Sequence, residues 1–468
     1  MSAPDIDQEL LDHFKPLTGN AHLTFLLGAG ASAPSGLPNW DDFAARVAIL
    51  SGLVSQKSAA HALLSRQDPS IVLEAARMQS GDEWEQHLIT ALYGNLLHSP
   101  DPSPLHLAAA GHYLQAPTRT TLSTLNFDIL LETAFIETTS QSIETRFDGA
   151  ESSGQPAVHH LHGAITEEFA IDPIVGYQDY AELVANNNAW QYRFLKEALS
   201  HGPLLLAGTS YRDPDIRHWL HMILSGAGAR YPAIVSIVRE GMRLNRQMFD
   251  ALSDALTKEW EAIGLTALKM HDLSDVALVI RELQFLELAD YRSPKTRAQQ
   301  VWTSHNDKIA ELQSLFSEAL SLDAIALAEA IGVEAHQATL WLATGDGMLA
   351  RWASQGTHYL GAEYMKYVPT GHDSPWIAGE ALGAEEVKLR DMQRKRKAQP
   401  NWKSVLAIPI YASDQRLPDF ATAVLTFGLS KKANEILPLQ ELWAPTAEQL
   451  SAVWSERINQ VAFPDTRT

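Results

Sequence analysis

A glycine-rich segment near the N-terminus constrains the fold of this chain more than any other feature. Residues 28–38 read GAGASAPSGLP and follow an apolar run, HLTFLL at residues 22–27, which is typical of a buried strand. Asn39 or Asp41 can cap the helix that follows, and the first turn of that helix is acidic. The segment is therefore predicted to link a strand to a helix, where glycines let the backbone approach a pyrophosphate and the helix N-terminus favours its charge.

Short apolar segments then alternate with helical ones as far as residue 286. Residues 42–116 have a helical pattern and predict an insertion. The further predicted strands are residues 119–124, 157–162, 203–207, 231–238 and 265–270. This alternation predicts an α/β domain, a Rossmann-like doubly wound parallel sheet with a helical insertion. Ligands of such sheets bind at the carboxyl ends of the strands.

The second half of the chain has a different pattern, typical of an antiparallel α+β domain. An Asp-Gly turn separates two predicted strands at residues 338–344 and 348–354, a strong hairpin signal. A second predicted pair is formed by residues 404–411 and 421–427, and a last helix by residues 446–458. The predicted domains are therefore residues 1–290 and 291–468. Before the first hairpin, an amphipathic helix has Ile309, Leu312, Phe316 and Leu320 on one face. This helix can link the two domains, pair with a second copy or pack on its own domain.

The composition excludes several classes of function. The formal net charge is −20, which disfavours general binding to nucleic acid or to anionic membranes. The chain has no cysteine, which excludes disulfides, cysteine nucleophiles and cysteine-ligated zinc, and fits a cytoplasmic location. No signal peptide and no run of ~20 apolar residues is present, so no membrane segment is expected. The densest basic stretch, residues 388–397, is predicted to be a solvated helix or loop.

Four motifs in order make the first domain resemble the sirtuin family. The glycine segment resembles the first NAD-binding signature of that family, and residues 124–128, TLNFD, resemble its Thr-Gln-Asn-x-Asp segment, with Leu125 where glutamine is usual. His162-Gly163 resembles the segment with the catalytic histidine, and Gly208-Thr209-Ser210 resembles a Gly-Thr-Ser loop. The resemblance covers residues 20–285.

This resemblance implies a role for each matched residue in cleaving the nicotinamide–ribose bond of NAD. Asn126 would hold the nicotinamide ribose and a water, and His162 would act as a base on a ribose hydroxyl. Asp128 would contact the nicotinamide side. The residues implied to line the phosphates and the adjoining ribose are Gly28, Ala29, Gly30, Ser32, Gly208 and Ser210. The transition state of this cleavage has oxocarbenium character, so a polarised hydroxyl and a placed nucleophile lower the barrier.

Each matched residue also has a purely structural interpretation. Asn126 can cap the helix that follows it, His162 can be a buried structural histidine, and Ser32 can serve only the turn. Strand alternation places His160 and His162 on one face, an arrangement that suggests a metal site. With no cysteine and no carboxylate at ligand spacing, we expect no metal.

Two departures separate the chain from sirtuins that remove acyl groups from proteins. It cannot build their zinc ribbon of four cysteines, and Asn39-Trp40 stands where those enzymes carry Asp-Phe-Arg. Both departures are similar to a bacterial anti-phage branch whose members hydrolyse NAD to nicotinamide and ADP-ribose. An NAD-dependent protein deacylase and a non-catalytic module that binds NAD or ADP-ribose stay open as alternatives.

The second domain resembles a GAF-type sensor domain. The resemblance is carried by the hairpin at residues 338–354, by residues 374–384 and by the pair of segments SVLAIPI at residues 404–410 and AVL at residues 423–425. It implies a regulatory role, triggered by an activating protein or a small molecule, and a homo-oligomer. Packing in the core is favoured over lining a ligand pocket for four aromatic residues: Trp341, Trp352, Tyr364 and Trp376.

Overall fold

The computed structural model describes most of the chain, in two compact units. The described residues are 5–19, 22–94, 96, 98–148, 154–186, 188–209, 214–226, 229–242, 244–392, 402–414 and 416–464. Phe14–Leu283 form one unit, here called the parallel-sheet unit. Met1–His13 and Gln284–Thr468 form the other, the antiparallel-sheet unit. The domain boundary at residue 290 stays a prediction.

The secondary structure comprises both helices and strands in each unit. The strands are β1 (Leu23–Leu27), β2 (Thr120–Thr124), β3 (Glu144–Arg146), β4 (Ala157–His160), β5 (Ala164–Ile165), β6 (Ala170–Ile171), β7 (Leu204–Ala207), β8 (Ala233–Val238), β9 (Thr266–Met270), β10 (Ala335–Ala343), β11 (Met348–Ser354), β12 (Tyr367–Pro369), β13 (Lys388–Asp391), β14 (Ser404–Asp414) and β15 (Leu417–Leu429). The α-helices are α1 (Gln8–Asp12), α2 (Trp40–Leu50), α3 (Lys57–Leu64), α4 (Pro69–Ser80), α5 (Trp84–Tyr93), α6 (Pro104–Gln115), α7 (Leu130–Thr139), α8 (Tyr177–Ala185), α9 (Trp190–His201), α10 (Pro214–Ser225), α11 (Arg246–Glu261), α12 (Leu273–Glu282), α13 (Pro294–Asp307), α14 (Ile309–Ile331), α15 (Ile377–Ala384), α16 (Ala433–Ile436) and α17 (Gln440–Ala462). No helix in these described ranges is long and apolar enough to cross a membrane.

The parallel-sheet unit is built on seven strands in the order β3-β4-β2-β1-β7-β8-β9. Every neighbouring pair in this sheet is parallel. The central strands are buried along their whole length, as β1, β7 and β8 show, because helices cover both faces. From β1 the strand order runs to β2 and β4 on one side and to β7 and β8 on the other. This reversal of strand order places a topological switch point at the carboxyl ends of β1 and β7. The predicted doubly wound sheet is thus confirmed.

The predicted helical insertion is also present, as α2 to α6. Asn39 caps α2 by accepting a hydrogen bond of 2.9 Å from the amide of Asp42, which decides between the two predicted capping residues. The apolar faces of α2 to α5 form a core of their own around Phe43, Val47 and Leu73. Phe127, in the loop after β2, packs into the same core, so the insertion is anchored at the carboxyl edge of the sheet.

The antiparallel-sheet unit contains six strands in the order β12-β11-β10-β15-β14-β13, with antiparallel pairing throughout. On one face, Phe316 of α14 packs between Trp352 of β11 and Trp454 of α17, at ring distances of 5.4 and 5.0 Å. On the other face, Trp341 lies in a cluster with Ala381 and other residues of α15. Both predicted strand pairs are confirmed, and the predicted α+β class of this half is confirmed with them.

Some predictions for the second half were wrong in detail. Residues 388–391 form strand β13 rather than a helix or loop, because they pair with β14, and residues 393–397 lie outside the described residues. Trp341 and Trp352 are core residues, as favoured. Tyr364 and Trp376 are 66% and 42% exposed, so core packing was wrong for both. The Lys366 ammonium lies over the ring of Trp376 and makes a cation–π contact with this partly exposed indole.

Candidate functional site

The site is built where the loops after β1, β2 and β7 converge. Parallel strands place their carboxyl ends at one edge, and two hydrogen bonds continue the pairing beyond it. The amide of Leu125 donates to the Leu27 carbonyl at 2.8 Å, and the amide of Gly30 donates to the Gly208 carbonyl at 2.8 Å. Three motifs that lie about 80 residues apart or more in the sequence are thereby brought into one place.

The glycines of these loops are required by the contact between the loops themselves. A Cβ on Gly28 would lie 2.5 Å from the Thr209 Cα, and one on Gly30 would lie 2.9 Å from the Gly208 carbonyl oxygen. Gly208 has φ +67, and its Cβ would lie 2.6 Å from the Ala31 nitrogen. The sequence predicted that these glycines let the backbone approach a phosphate. In the structure they also let the backbone of the loop after β1 pack on the backbone of the loop after β7. Ser210 lies outside the described residues.

Ser32 is the centre of a buried hydrogen-bond network in this loop. Its hydroxyl accepts from Asn126 Nδ2 at 2.8 Å and donates to the carboxylate of Asp128. His106 Nε2 lies 3.4 Å from the same oxygen. Burial lowers the pKa of His106 to about 3, so this imidazole is neutral, and its Nδ1 accepts from the Ser103 amide. Ser32 therefore does more than form a turn, since it fixes which way the Asn126 amide points.

Asn126 is held on both sides and keeps one polar atom unused. Its backbone N–H donates to Thr124 Oγ1 at 2.9 Å, and its side-chain Nδ2 donates to Ser32 Oγ. Its Oδ1 is buried and has no hydrogen-bond partner within the described part of the chain. The N-cap residue of α7 is Ile129, and the Leu130 amide at the start of this helix donates to Asp128 at 3.1 Å, so the capping interpretation of Asn126 was wrong. A buried unused acceptor costs free energy unless it serves a ligand.

A charged pair lies directly behind Asn126. His160 Nε2 donates to Glu132 Oε1 at 2.9 Å, and His160 Nδ1 donates to the Asn126 carbonyl at 3.1 Å. Burial lowers the pKa of His160, but the Glu132 carboxylate outweighs it and the net pKa is raised. Burial likewise raises the pKa of Asp128, although Ser32 opposes that shift. A protonated His160 that donates from both nitrogens therefore holds the backbone of Asn126 in place.

His162 lies in the turn after β4 and pairs with a different carboxylate. Its Nε2 is 2.8 Å from Asp215 Oδ2 on α10, and its ring packs edge-on against Tyr180 at 5.6 Å. Both members of the His162–Asp215 pair are buried. Gly163 follows with φ +78, and a Cβ there would lie 2.3 Å from the Asp172 carbonyl oxygen, so this turn requires glycine. His160 and His162 thus contact two different carboxylates, Glu132 and Asp215.

Two adjoining pockets border these residues. A small pocket of about 60 Å³ is lined by Ser32, Asn126, Asp128, His162 and Tyr180 among others. A larger pocket of about 540 Å³ runs along the glycine loop and the carboxyl ends of β7 and β8, and Gly30, Gly208 and Ser236 line it. The two pockets share the lining residues Ala29, Leu37 and Trp40. All the predicted site residues that the structure describes, except Gly28, therefore line one of these two pockets.

Sequence reasoning missed several residues of this site. Asp215, Tyr180 and His106 come from three helices, and no spacing in the sequence connects them with His162 or Ser32. Pro214 at the first helical position did predict the start of α10, but a helix start says nothing about which way an aspartate in its first turn points.

Comparisons with known proteins agree with this architecture. Residues 120–268 match the family model of the SIR2-like domain, which confirms the predicted sirtuin-like resemblance. This match supports an NAD-related function. A search of the curated proteins found no match.

The chain is also similar to several solved structures. One is a Sir2 homologue–NAD complex, at 16% identity over 59% of this chain and 94% of that chain, with a TM-score of 0.31. Another is Sir2Tm bound to a propionylated peptide, at 15% identity over 58% of this chain and 96% of that chain, with a TM-score of 0.28. A third is a GAF domain, at 16% identity over 33% of this chain and 85% of that chain, with a TM-score of 0.22.

Proposed function

We propose that this protein is an NAD glycohydrolase that cleaves NAD to nicotinamide and ADP-ribose. One observation carries the proposal: the unused Oδ1 of Asn126 and the carboxylate-paired His162 border the same small pocket, beside a glycine loop at a sheet switch point. In this proposal the amide acceptor orients the attacking water and the imidazole acts as a general base.

The two pockets match the two ends of a dinucleotide. We assign the larger pocket to the ADP part of NAD, because it lies along the amides of the glycine loop, with Ala29 and Gly30 in its wall. The smaller pocket takes the nicotinamide riboside end, with Asp128 on the nicotinamide side. The shared wall at Ala29 then lies beside the phosphates, and Ser32 and Gly208 flank it.

The chemistry follows from the placement of the side chains. The bond between the ribose anomeric carbon and the nicotinamide nitrogen breaks with its electron pair going to nicotinamide, which leaves as a neutral molecule. Asn126 Oδ1 accepts a hydrogen bond from the water that attacks the oxocarbenium-like carbon, and His162 removes a proton from a ribose hydroxyl. The water oxygen forms the new bond of ADP-ribose and loses one proton to solvent, and His162 returns its proton to the ribose hydroxyl.

Water is the acceptor in this proposal because the sequence cannot supply the zinc ribbon of the protein deacylases, having no cysteine. A free NAD hydrolase would deplete its own cell. We therefore propose a cytoplasmic anti-phage effector that stays inactive until an activating protein or small molecule acts on the GAF-like domain, with a homo-oligomer as the working form. Activation by ~100-fold requires only about 2.7 kcal/mol of differential binding of the trigger.

Product analysis with NAD tests this proposal. The parent protein, Asn126→Ala and His162→Ala are each incubated with NAD, and nicotinamide and ADP-ribose are quantified by chromatography. We expect both products from the activated parent and a loss of at least ~100-fold in each variant. The matched controls are Asn459→Ala, in the antiparallel-sheet unit, and His61→Ala, on the exposed surface of α3, and both should keep the parent rate.

Other outcomes distinguish the alternatives. Consumption of NAD that requires an acetyl-lysine peptide in equal amount would favour a deacylase. Tight binding of NAD or ADP-ribose without release of nicotinamide under any trigger would favour a non-catalytic module. Unchanged rates in both site variants would refute the assignment of Asn126 and His162.

A further inference from the structure

We propose that Asp215 is a positioning residue that fixes the orientation and the tautomer of His162, an inference that rests on the proposed NAD hydrolysis. Asp215 is the second residue of α10, and its Oδ2 lies 2.8 Å from His162 Nε2. Its relative exposure is 0% and that of His162 is 2%, so water does not compete for this contact. The pair therefore has the form of a buried carboxylate–imidazole dyad.

The contacts of Asp215 differ from those of an aspartate that caps a helix. Asp179 of α8 accepts from the amides of Val175 and Gly176, and Asp275 of α12 accepts from two amides just before its helix. Asp215 accepts from no backbone amide of the described residues, and its Oδ1 is buried without a partner. The hydrogen bond that the structure shows for this carboxylate is therefore the one to His162, which indicates a role toward the imidazole.

This contact determines which nitrogen of His162 is the base. A carboxylate only accepts, so Nε2 must carry the proton that it donates to Asp215. The neutral ring then has Nδ1 as its acceptor atom, so we assign to Nδ1 the proton transfer from the ribose hydroxyl. When that proton arrives, the resulting imidazolium lies next to the negative charge of Asp215, which stabilises it. An amide at position 215 would remove this charge and would also allow the opposite tautomer.

A double-mutant cycle tests the dependence of Asp215 on His162. Asp215→Asn has nearly the same shape as the parent residue, and we expect it to lower kcat for nicotinamide release by about 100-fold with KM changed less than about threefold. In the His162→Ala background, the same substitution should lower the residual rate by less than about threefold, because the two residues act as a unit. The matched control is Asp275→Asn, another buried aspartate in the first turn of a helix, and it should keep the parent kcat.

Additive effects of the two substitutions on the rate would overturn the proposal. If Asp215→Asn reduces the rate of His162→Ala by the same factor as it reduces the parent rate, Asp215 does not act through His162. A parent-like kcat for Asp215→Asn would overturn it as well. Thermal unfolding of each variant, measured alongside, separates a loss of folded protein from a loss of rate.

A spectroscopic measurement tests the pairing without any activity. Long-range nitrogen–proton correlation spectra of histidine-labelled protein distinguish the two imidazole tautomers, and the His162 signal is identified by its loss in His162→Gln. We expect the Nε2–H tautomer in the parent, and an Nδ1–H signal there would refute the proposal even if Asp215→Asn failed to fold. Absence of NAD cleavage by the parent under every trigger would instead refute the proposed function and leave this readout valid.

Discussion

Gly28→Ala is expected to destabilise the parallel-sheet unit, because the loop after β1 has no room for a methyl group. The new Cβ would lie 2.5 Å from the Thr209 Cα and 2.7 Å from the Gly208 carbonyl oxygen, whereas real Cβ contacts stay above 3.0 Å. Both neighbours are backbone atoms, so one loop must retreat by about half an ångström. Overpacking of this kind costs about 1–3 kcal/mol, and weakening the hydrogen bond from Gly30 to Gly208 adds about 1 kcal/mol.

The expected loss of about 2–4 kcal/mol corresponds to a fall in Tm of roughly 5–10 °C for a unit of this size. Thermal unfolding followed by circular dichroism measures it, with urea unfolding as a second determination. Gly111→Ala is the matched control, because this glycine lies within α6 and its Cβ would meet nothing within 4 Å. That variant should be more stable by about 0.5–1 kcal/mol. Equal Tm values for Gly28→Ala and the parent would show that the loops are not packed as the structure describes.

Two further predictions concern pH. The pKa of His160 is raised beside Glu132, so its protonation stabilises the folded state. This contribution is complete below the unfolded pKa of about 6.5 and is lost as the pH rises through the folded pKa. Urea unfolding at a series of pH values should show this loss of stability in the parent and a smaller one in His160→Gln. Burial raises the pKa of Asp5 to about 6, so the folded state binds a proton that the unfolded state, at 3.8, has released; the antiparallel-sheet unit should lose roughly 3 kcal/mol between pH 4 and pH 7. Asp5→Asn should abolish this loss, since an amide oxygen can still accept from Gly347, and an unchanged pH slope in that variant would contradict the prediction.

Much of the fold followed from the sequence because its signals are local. The buried strands are continuous apolar runs, and the helical insertion has the 3.6-residue period of amphipathic helices. The Asp-Gly turn at residues 345–347 predicted its hairpin correctly. Strand β13 and the exposure of Tyr364 and Trp376 were missed, because edge pairing and surface placement depend on neighbours far away in the chain.

The sequence by itself determined which loops carry polar groups at the ends of parallel strands, because glycine, asparagine and histidine motifs stand directly after apolar runs. Only the tertiary structure decided what each group contacts. Ser32 accepts a hydrogen bond from the side-chain amide of Asn126, Glu132 pairs with His160, and Asp215 pairs with His162. The members of these pairs are separated by 28 to 94 residues in the sequence. The physical reason is that a hydrogen bond depends on distance and direction to within fractions of an ångström, and packing of the whole sheet and its helices sets those quantities.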